Sequence, residues 1–165
     1  MLRESTAMAM QCAMLVIRVG GLTCAIPIEH AIETMRPLPI EPIGRSEDPA
    51  LASVEGLAMI RGTPVPVVDI RKLLGMPCGR AERFVLVRGA ERRTALLVDS
   101  VIGVSVIELD TLSHLPLLLD SVNRDSVSAI GSRDAELLIV LDTSRVIPDD
   151  TWRTIERAGD QKAEQ

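Results

Sequence analysis

The sequence feature that most constrains the fold is an internal duplication. Residues 14–33 (MLVIRVGGLTCAIPIEHAIE) and 84–103 (FVLVRGAERRTALLVDSVIG) each contain an apolar strand, a turn, a second strand and then an acidic residue. Further along, an apolar strand that ends at Asp69 has a counterpart in the strand that ends at Asp142. Matching positions lie about 70 residues apart, which predicts two similar lobes packed together and not a solenoid.

The segment 55–75 (EGLAMIRGTPVPVVDIRKLLG) is the clearest local structural signature. A turn containing Arg61 leads into a short apolar strand, and Asp69 is placed to cap the helical turn that follows. Because proline has no backbone N–H, Pro64 and Pro66 predict a sheet edge, a strand start or a bulge. The segment predicts structure and one outward-pointing cation, with no catalytic motif.

The rest of the chain is predicted to be mainly β, with short aliphatic strands separated by Gly, Pro or charged turns. The predicted strands are 13–19, 22–28, 64–68, 84–89, 93–99, 103–109 and 136–141. Short helical turns are predicted near 29–35, 69–75 and 142–147, and a terminal helix over 150–158. Four prolines predict a loop over residues 36–55, long enough to take part in binding.

Composition fits a compact chain of 165 residues with an aliphatic core, because Phe84 and Trp152 are its only aromatic residues while 47% of residues are hydrophobic. No apolar run reaches the ~18 residues that span a bilayer, which predicts no direct membrane insertion. The first residues fit a signal peptide poorly. A net charge of −5 argues against nucleic acid as a partner.

Neither the cysteines nor the histidines indicate a reactive site. Cys12, Cys24 and Cys78 are odd in number and form no CxxC pair, so we expect reduced thiols, with no disulfide framework and no metal site. His30 follows Glu29, but adjacent residues point in different directions, so an acid–base dyad is disfavoured. No phosphate-binding loop or nucleophile elbow is present. We therefore expect neither enzymatic activity nor a cofactor.

These motifs together resemble the CheW family of chemotaxis coupling proteins. The resemblance rests on Ala25-Ile26-Pro27-Ile28, Ile60-Arg61-Gly62, Val65-Pro66-Val67-Val68-Asp69 and Leu97-Val98-Asp99-Ser100-Val101. It implies two five-stranded SH3-like β-barrels related by a pseudo-twofold axis, in agreement with the duplication. The implied division is a flexible N-terminus (1–11), a first lobe (12–80), a second lobe (81–148) and a C-terminal helix with a polar tail (149–165).

The resemblance also implies a function. CheW-like proteins are adaptors that couple the cytoplasmic tips of chemoreceptors (methyl-accepting proteins) to the regulatory domain of a CheA-type histidine kinase, in cytoplasmic arrays at the inner face of the membrane. Cys24 stands where the family often has an aromatic ring, and the 36–55 loop is long, so an alternative system controlling pili or surface behaviour is one reading. The alternative function is a scaffold that assembles with other CheW-like domains without coupling a kinase.

The residues implied in partner binding are Ala31, Glu33, Gly56, Arg61, Gly62, Val98, Val101 and Val104. Glu33 and Arg61 match acidic and basic family positions that lie close in space, although an exposed ion pair alone is worth only ~0–1 kcal/mol. For the two glycines, turn geometry with positive φ is the favoured interpretation. Ala31 is equally explained as a filler on a helix face. For the three valines, burial in the core is the favoured interpretation.

Overall fold

The computed structural model describes residues 10–44, 49–77, 79–110 and 126–163. The strands are β1 (Met10–Val19), β2 (Leu22–Pro27), β3 (Ala31–Met35), β4 (Ile40–Glu41), β5 (Val54–Ile60), β6 (Thr63–Asp69), β7 (Arg83–Gly89), β8 (Arg92–Val98), β9 (Ser100–Asp110), β10 (Val127–Arg133) and β11 (Glu136–Leu141). The helices are α1 (Ile70–Leu73) and α2 (Asp149–Ala163), and short 3-10 helices cover Ile28–His30 and Pro49–Ser53. The predicted mainly β class is confirmed.

The strands form two sheets. Strands β1, β2, β11, β10 and β9, in that order, close into a five-stranded barrel. The second sheet has six strands in the order β3-β7-β8-β6-β5-β4. The five strands expected in each lobe are therefore found in the barrel, while the second sheet contains one more.

The sheets do not follow the predicted lobe boundaries of 12–80 and 81–148. After each leading hairpin the chain crosses to the other sheet, so β3 pairs with β7 and β9 pairs with β1. The exchange is completed by two parallel pairings, β2 with β11 and β8 with β6. Each sheet thus combines a hairpin from one half of the chain with strands from the other half. Strand β1 also begins at Met10, inside the segment 1–11 that was predicted to be a flexible N-terminus.

The duplication is visible in the structure itself. The two leading hairpins turn at equivalent positions, closed by Val19↔Leu22 and by Gly89↔Arg92. At the ends of the equivalent strands β6 and β11, an aspartate side chain accepts a hydrogen bond from the backbone N–H two residues further on. Asp69 Oδ1 accepts from the N–H of Arg71 at 2.9 Å, and Asp142 Oδ1 accepts from that of Ser144 at 3.1 Å.

Only the first of these two caps starts a helix. Asp69 caps α1 as predicted, and its partial burial raises the pKa of its carboxyl group above the ordinary value. The helical turn predicted at 142–147 is wrong, because this stretch is a series of turns and bends. Ser144 Oγ also donates to Asp142 Oδ1 at 2.6 Å, which fixes a local turn, and Pro148 disfavours helical backbone at the residue before it.

The helical prediction for 29–35 is also wrong, because only Ile28–His30 is helical and β3 follows it directly. This β3 stretch alternates half-buried and exposed residues, which is the period of a strand. The predicted 36–55 loop contains the two-residue strand β4 and a 3-10 helix before β5 begins. The sequence prediction omitted β3, β4, β5 and β10.

Three apolar clusters explain why so many strands lack a polar face. One fills the barrel (Met14, Val16, Ala25, Ile107, Leu138 and Val140), and one covers the inner face of the six-stranded sheet (Ala58, Ile60, Val65, Val67, Phe84, Leu86 and Ala95). The third, the middle core, takes residues from both sheets and from α2, including Ile17, Cys24, Val87, Leu96 and Trp152. Successive residues of β1, Val16 and Ile17, therefore point into different clusters. Burial in the middle core raises the pKa of the Cys24 thiol to about 12.

A polar tie joins the two sheets beside the middle core. The Asp99 carboxylate accepts two hydrogen bonds from the Arg71 guanidinium, from Nε to Oδ1 at 2.8 Å and from Nη2 to Oδ2 at 2.5 Å. The same Oδ2 accepts the backbone N–H of Gly20 at 2.8 Å, and the Asp99 N–H donates to Arg18 O at 3.0 Å. Both ionic side chains are less than one-fifth exposed. The tie thus connects α1, the β8–β9 junction and the β1–β2 turn.

We expect Asp99→Ala to lower the free energy of unfolding by about 2–3 kcal/mol, because it leaves the Arg71 guanidinium and the Gly20 N–H partly buried without their acceptor. Urea unfolding followed by circular dichroism measures the change. Glu82→Ala is the control, since within the described residues the Glu82 side chain forms only an exposed pair with Arg80, at 3.7 Å, and its loss should change stability by less than about 0.5 kcal/mol. Equal losses in the two variants would contradict the structural role of Asp99.

Candidate functional site

The predicted pairing of Arg61 with Glu33 is present. Arg61 Nη2 lies 2.8 Å from Glu33 Oε2, and the arginine side chain is 77% exposed while that of the glutamate is 29% exposed. The pair joins the β5–β6 turn to β3, two segments that are far apart in sequence. It places a charged group at the surface, on the six-stranded sheet.

The Arg61-Gly62 turn has the backbone of a tight hairpin. Ile60 and Thr63 close the ladder, and the two turn residues have φ values of 51° and 79°. Positive φ at both positions suits a two-residue turn whose twist matches the strands, and glycine adopts it without steric cost. Ala90 and Asp134, in other turns, also have positive φ, so the conformation of Arg61 is hairpin geometry and not a mark of function.

The remaining glycine of the predicted site, Gly56, has a structural explanation. It is buried at the point where the β5–β6 register shifts, with φ of 148°. A Cβ at this position would lie 2.1 Å from Glu41 O and 2.9 Å from Ile40 Cγ2. Gly56 therefore lets β4 approach β5 and acts on the site only through that packing.

The structure separates the three predicted valines. Val98 is completely buried in the middle core, so its side chain does not reach the surface. Val101 is half-buried against the same core. Val104 is 60% exposed and available at the surface of β9. Ala31 is half-buried at the start of β3, not on a helix, opposite Val87 of β7.

Sequence reasoning missed an apolar stripe that continues from Val104. Ile102, Val104 and Val106 alternate along β9 and are 40%, 60% and 66% exposed. Alternating apolar residues on a strand indicate one face, and this face was assumed to be buried. The apolar face is instead at the surface of the barrel, which makes it a candidate contact surface.

A second missed feature is a groove beside the Arg61-Gly62 turn. It has a volume of about 480 Å³ and is lined by Leu38, Pro39, Glu41, Leu57, Ala58, Met59, Pro64 and Gly159. Met59, at its rim, is 63% exposed. The groove could not be anticipated because β5, which supplies three of these residues, was assigned to no strand.

The described residues contain no side-chain cluster suited to a metal ion. Within 10–44, 49–77, 79–110 and 126–163, no three His, Cys, Asp or Glu side chains converge in a way that could hold a metal ion. His30 Nδ1 lies 3.2 Å from Thr143 Oγ1, and this hydroxyl donates to Arg88 O at 3.1 Å. His30 is thus part of a structural contact. His114 and Cys78 lie outside the described residues, and no helix in the described part is long and apolar enough to cross a membrane.

Comparison with known proteins agrees with this architecture. The model of the CheW-like domain family matches residues 13–151. The chain therefore belongs to the CheW-like domain family. The crystal structure of the scaffolding protein TtCheW from Thermoanaerobacter tengcongensis has the same fold, with a TM-score of 0.72 at 18% identity over 86% of this chain and 96% of that one.

Two curated relatives differ in how much of them the chain covers. It is 30% identical over 100 residues to the chemotaxis protein CheW of Thermotoga maritima, an alignment covering 59% of this chain and 65% of that protein. It is 32% identical over 92 residues to the chemotaxis protein CheA of Cereibacter sphaeroides, covering 53% of this chain and 12% of CheA. The chain therefore spans less than two thirds of either relative.

The two glycines of the site should differ sharply in their tolerance of a side chain. We expect Gly56→Ala to cost about 3 kcal/mol of unfolding free energy or more, because its Cβ would overlap the β4 backbone. Gly62→Ala should cost about 1 kcal/mol, because alanine is strained by the positive φ at this position but no atom lies within 4 Å of the added Cβ. Denaturant unfolding of both variants checks the order, and a Gly62 loss equal to that of Gly56 would contradict it.

Proposed function

We propose that this protein is a non-catalytic adaptor that couples the cytoplasmic tip of a chemoreceptor to the regulatory domain of a CheA-type histidine kinase. Membership of the CheW-like domain family is the observation that carries the proposal. The similarity to a segment of CheA supports it, because two domains of the same family can pair through related surfaces. The structure adds surface features suited to binding.

Two surfaces are available for the two partners. The first contains the Arg61–Glu33 pair, with Gly62 shaping its turn, Gly56 supporting it from below and Ala31 at the start of β3. The second is the β9 stripe with Val104, supported by Val101 and by the buried Val98. An exposed ion pair contributes little to stability, so a change in either charge affects folding only slightly. These charges can therefore serve to recognise a partner. An exposed apolar stripe is the kind of surface that an amphipathic helix covers.

The proposal places the protein on the cytoplasmic side of the membrane, recruited to receptor arrays. The long segment between Glu33 and Arg61 supports a specialised system, such as one that controls pili or surface behaviour. Its β4 strand and the groove beside it differ from a simple loop and give a partner additional surface.

A second candidate function is self-assembly with other CheW-like domains. The observation that favours it is the β9 stripe, since a second copy would cover Val104 and Val106 as well as a receptor would. Sedimentation velocity separates the candidates. The adaptor stays monomeric alone across micromolar concentrations, whereas a self-assembling scaffold forms larger species as its concentration rises.

Reversal of one charge tests the adaptor proposal. We expect the wild-type chain to bind the regulatory domain of the CheA-type kinase from the same organism with micromolar or tighter affinity, and Arg61→Glu to weaken binding about tenfold or more. Isothermal titration calorimetry measures both affinities. Arg61→Glu should remain folded, because the lost pair is worth only ~0–1 kcal/mol.

The control for that test is the double variant Glu33→Arg with Arg61→Glu. It restores an ion pair with reversed polarity, so it should recover stability but not affinity if the charges face the partner. Recovery of affinity would instead assign the pair a purely conformational role. An Arg61→Glu variant that binds like the wild type would exclude this surface from kinase docking, and a wild-type chain that binds neither kinase nor receptor would refute the adaptor function.

A further inference from the structure

Two arginines face each other across the β7–β8 hairpin. Arg88 and Arg93 are cross-strand partners and both are exposed. Like charges directly opposite on neighbouring strands repel each other and destabilise a sheet. Within the described residues, neither guanidinium group forms an ion pair or a hydrogen bond. The hairpin therefore carries an unfavourable charge pair without visible compensation.

The positive charge of the neighbouring Arg92, by contrast, is compensated by nearby carboxylates and a ring. Its guanidinium lies 3.2 Å from Asp149 Oδ1, 3.8 Å from Glu156 Oε1 and 5.0 Å from the centre of the Trp152 ring. Arg92 serves to fix α2 against the hairpin. The Arg88–Arg93 pair has no such structural role.

The duplication supplies an internal reference for this pair. In the equivalent hairpin, Arg18 is opposite Thr23, which is buried. The equivalent hairpin of the barrel therefore folds with threonine at the position that corresponds to Arg93, and threonine is well suited to a strand. The second arginine of the pair is a feature of one half of the molecule and is not required by the hairpin.

The pair lies at the same end of the six-stranded sheet as the Arg61-Gly62 turn. Strands β6 and β8 are parallel, so the turns that precede them, 61–62 and 90–91, are at one end, which we call the turn end. Glu33 is opposite Leu86 on β7, two residues from Arg88. The spacing of strands and residues puts the Cα atoms of Glu33 and Arg88 roughly 8 Å apart, close to one Debye length at physiological salt.

The turn end thus carries two arginines without a bonded carboxylate, next to Glu91 in the 90–91 turn, on a chain of net charge −5. Glu33 neutralises Arg61, which leaves Arg88 and Arg93 as two uncompensated cations. Guanidinium groups bind carboxylates through paired hydrogen bonds, and a carboxylate placed between the two arginines would remove their repulsion. The negative charge of the rest of the chain disfavours a nucleic-acid backbone as the occupant.

We propose that the Arg88–Arg93 pair is a docking site for an acidic segment of a protein partner, one whose carboxylates lie next to the Arg61–Glu33 contact. This inference rests on the proposed adaptor function and adds the chemical character of the partner surface. The mutual repulsion of the arginines is a stability cost retained for binding, a trade-off seen at many functional sites.

The decisive variant is Arg93→Thr, which copies the Arg18–Thr23 pairing. We expect it to weaken binding to the CheA-type regulatory domain or the receptor tip about tenfold at low ionic strength, with the difference shrinking as salt rises. Its melting temperature should equal that of the wild type or exceed it by up to about 3 °C. Calorimetry at two salt concentrations and thermal unfolding give the three readings.

Arg83→Thr is the matched control, because Arg83 is an exposed arginine at the opposite end of the β7–β8 hairpin, opposite Val98. It changes net charge equally and should leave affinity unchanged. Equal losses from both variants would show a net-charge effect and overturn the site. A lower melting temperature for Arg93→Thr, or unchanged affinity for both partners, would overturn it as well.

A separate titration distinguishes failure of the site from failure of the adaptor function. Adding a ten-residue glutamate peptide to the labelled full chain should shift the side-chain NMR signals of Arg88 and Arg93 and leave that of Arg83 in place. If the peptide shifts these signals but no kinase domain or receptor tip binds, the acidic site stands and the adaptor function fails. If the partners bind and the peptide shifts neither signal, the acidic site fails.

Discussion

The middle core shared by the two sheets is the constraint on which the structure depends. Strands β1, β2, β7 and β8 each place alternate residues in this core and the others inside their own sheet. Such strands have no face for polar residues, which explains a hydrophobic fraction of 47% in a chain with two aromatic residues. Aliphatic side chains suit these closely spaced layers because small branched groups fill space on both faces of a strand.

The exchange of strands makes each sheet depend on both halves of the chain, and the polar contacts beside the middle core differ on the two sides. On one side the Asp99 carboxylate joins Arg71 to the Gly20 turn. On the other side the Thr143 hydroxyl reaches Arg88 O and His30. The apolar pattern thus preserves the symmetry of the duplication, while the polar residues have diverged. One side has the Arg71–Asp99 ion pair, and the other has hydrogen bonds of the Thr143 hydroxyl.

Local features were predictable from sequence and long-range pairing was not. The hairpins around residues 20 and 90, the Asp69 cap and the terminal helix follow from turn residues, capping and periodicity within short windows. Strand β5 was missed because Gly56 interrupts its pattern, and Gly56 is explained only by contact with β4. Strand exchange depends on pairings such as Cys24 with Ile139, which no local window contains. The proximity of Glu33 and Arg61 was predicted from the family resemblance. The β9 stripe and the Arg88–Arg93 pair could be recognised only once the strand register was known.

The contrast between buried strand residues and exposed strand ends explains where binding surfaces can evolve on this fold. Residues along these strands point alternately into two cores, so a substitution on either face would disturb packing. Residues at strand ends and on β9 lie outside these cores, so charge or exposed apolar surface there does not disturb core packing. Arg61, Arg93 and Val104 occupy such positions. The middle core fixes the sheets relative to each other, so these residues can be selected for a partner while their spacing stays constant.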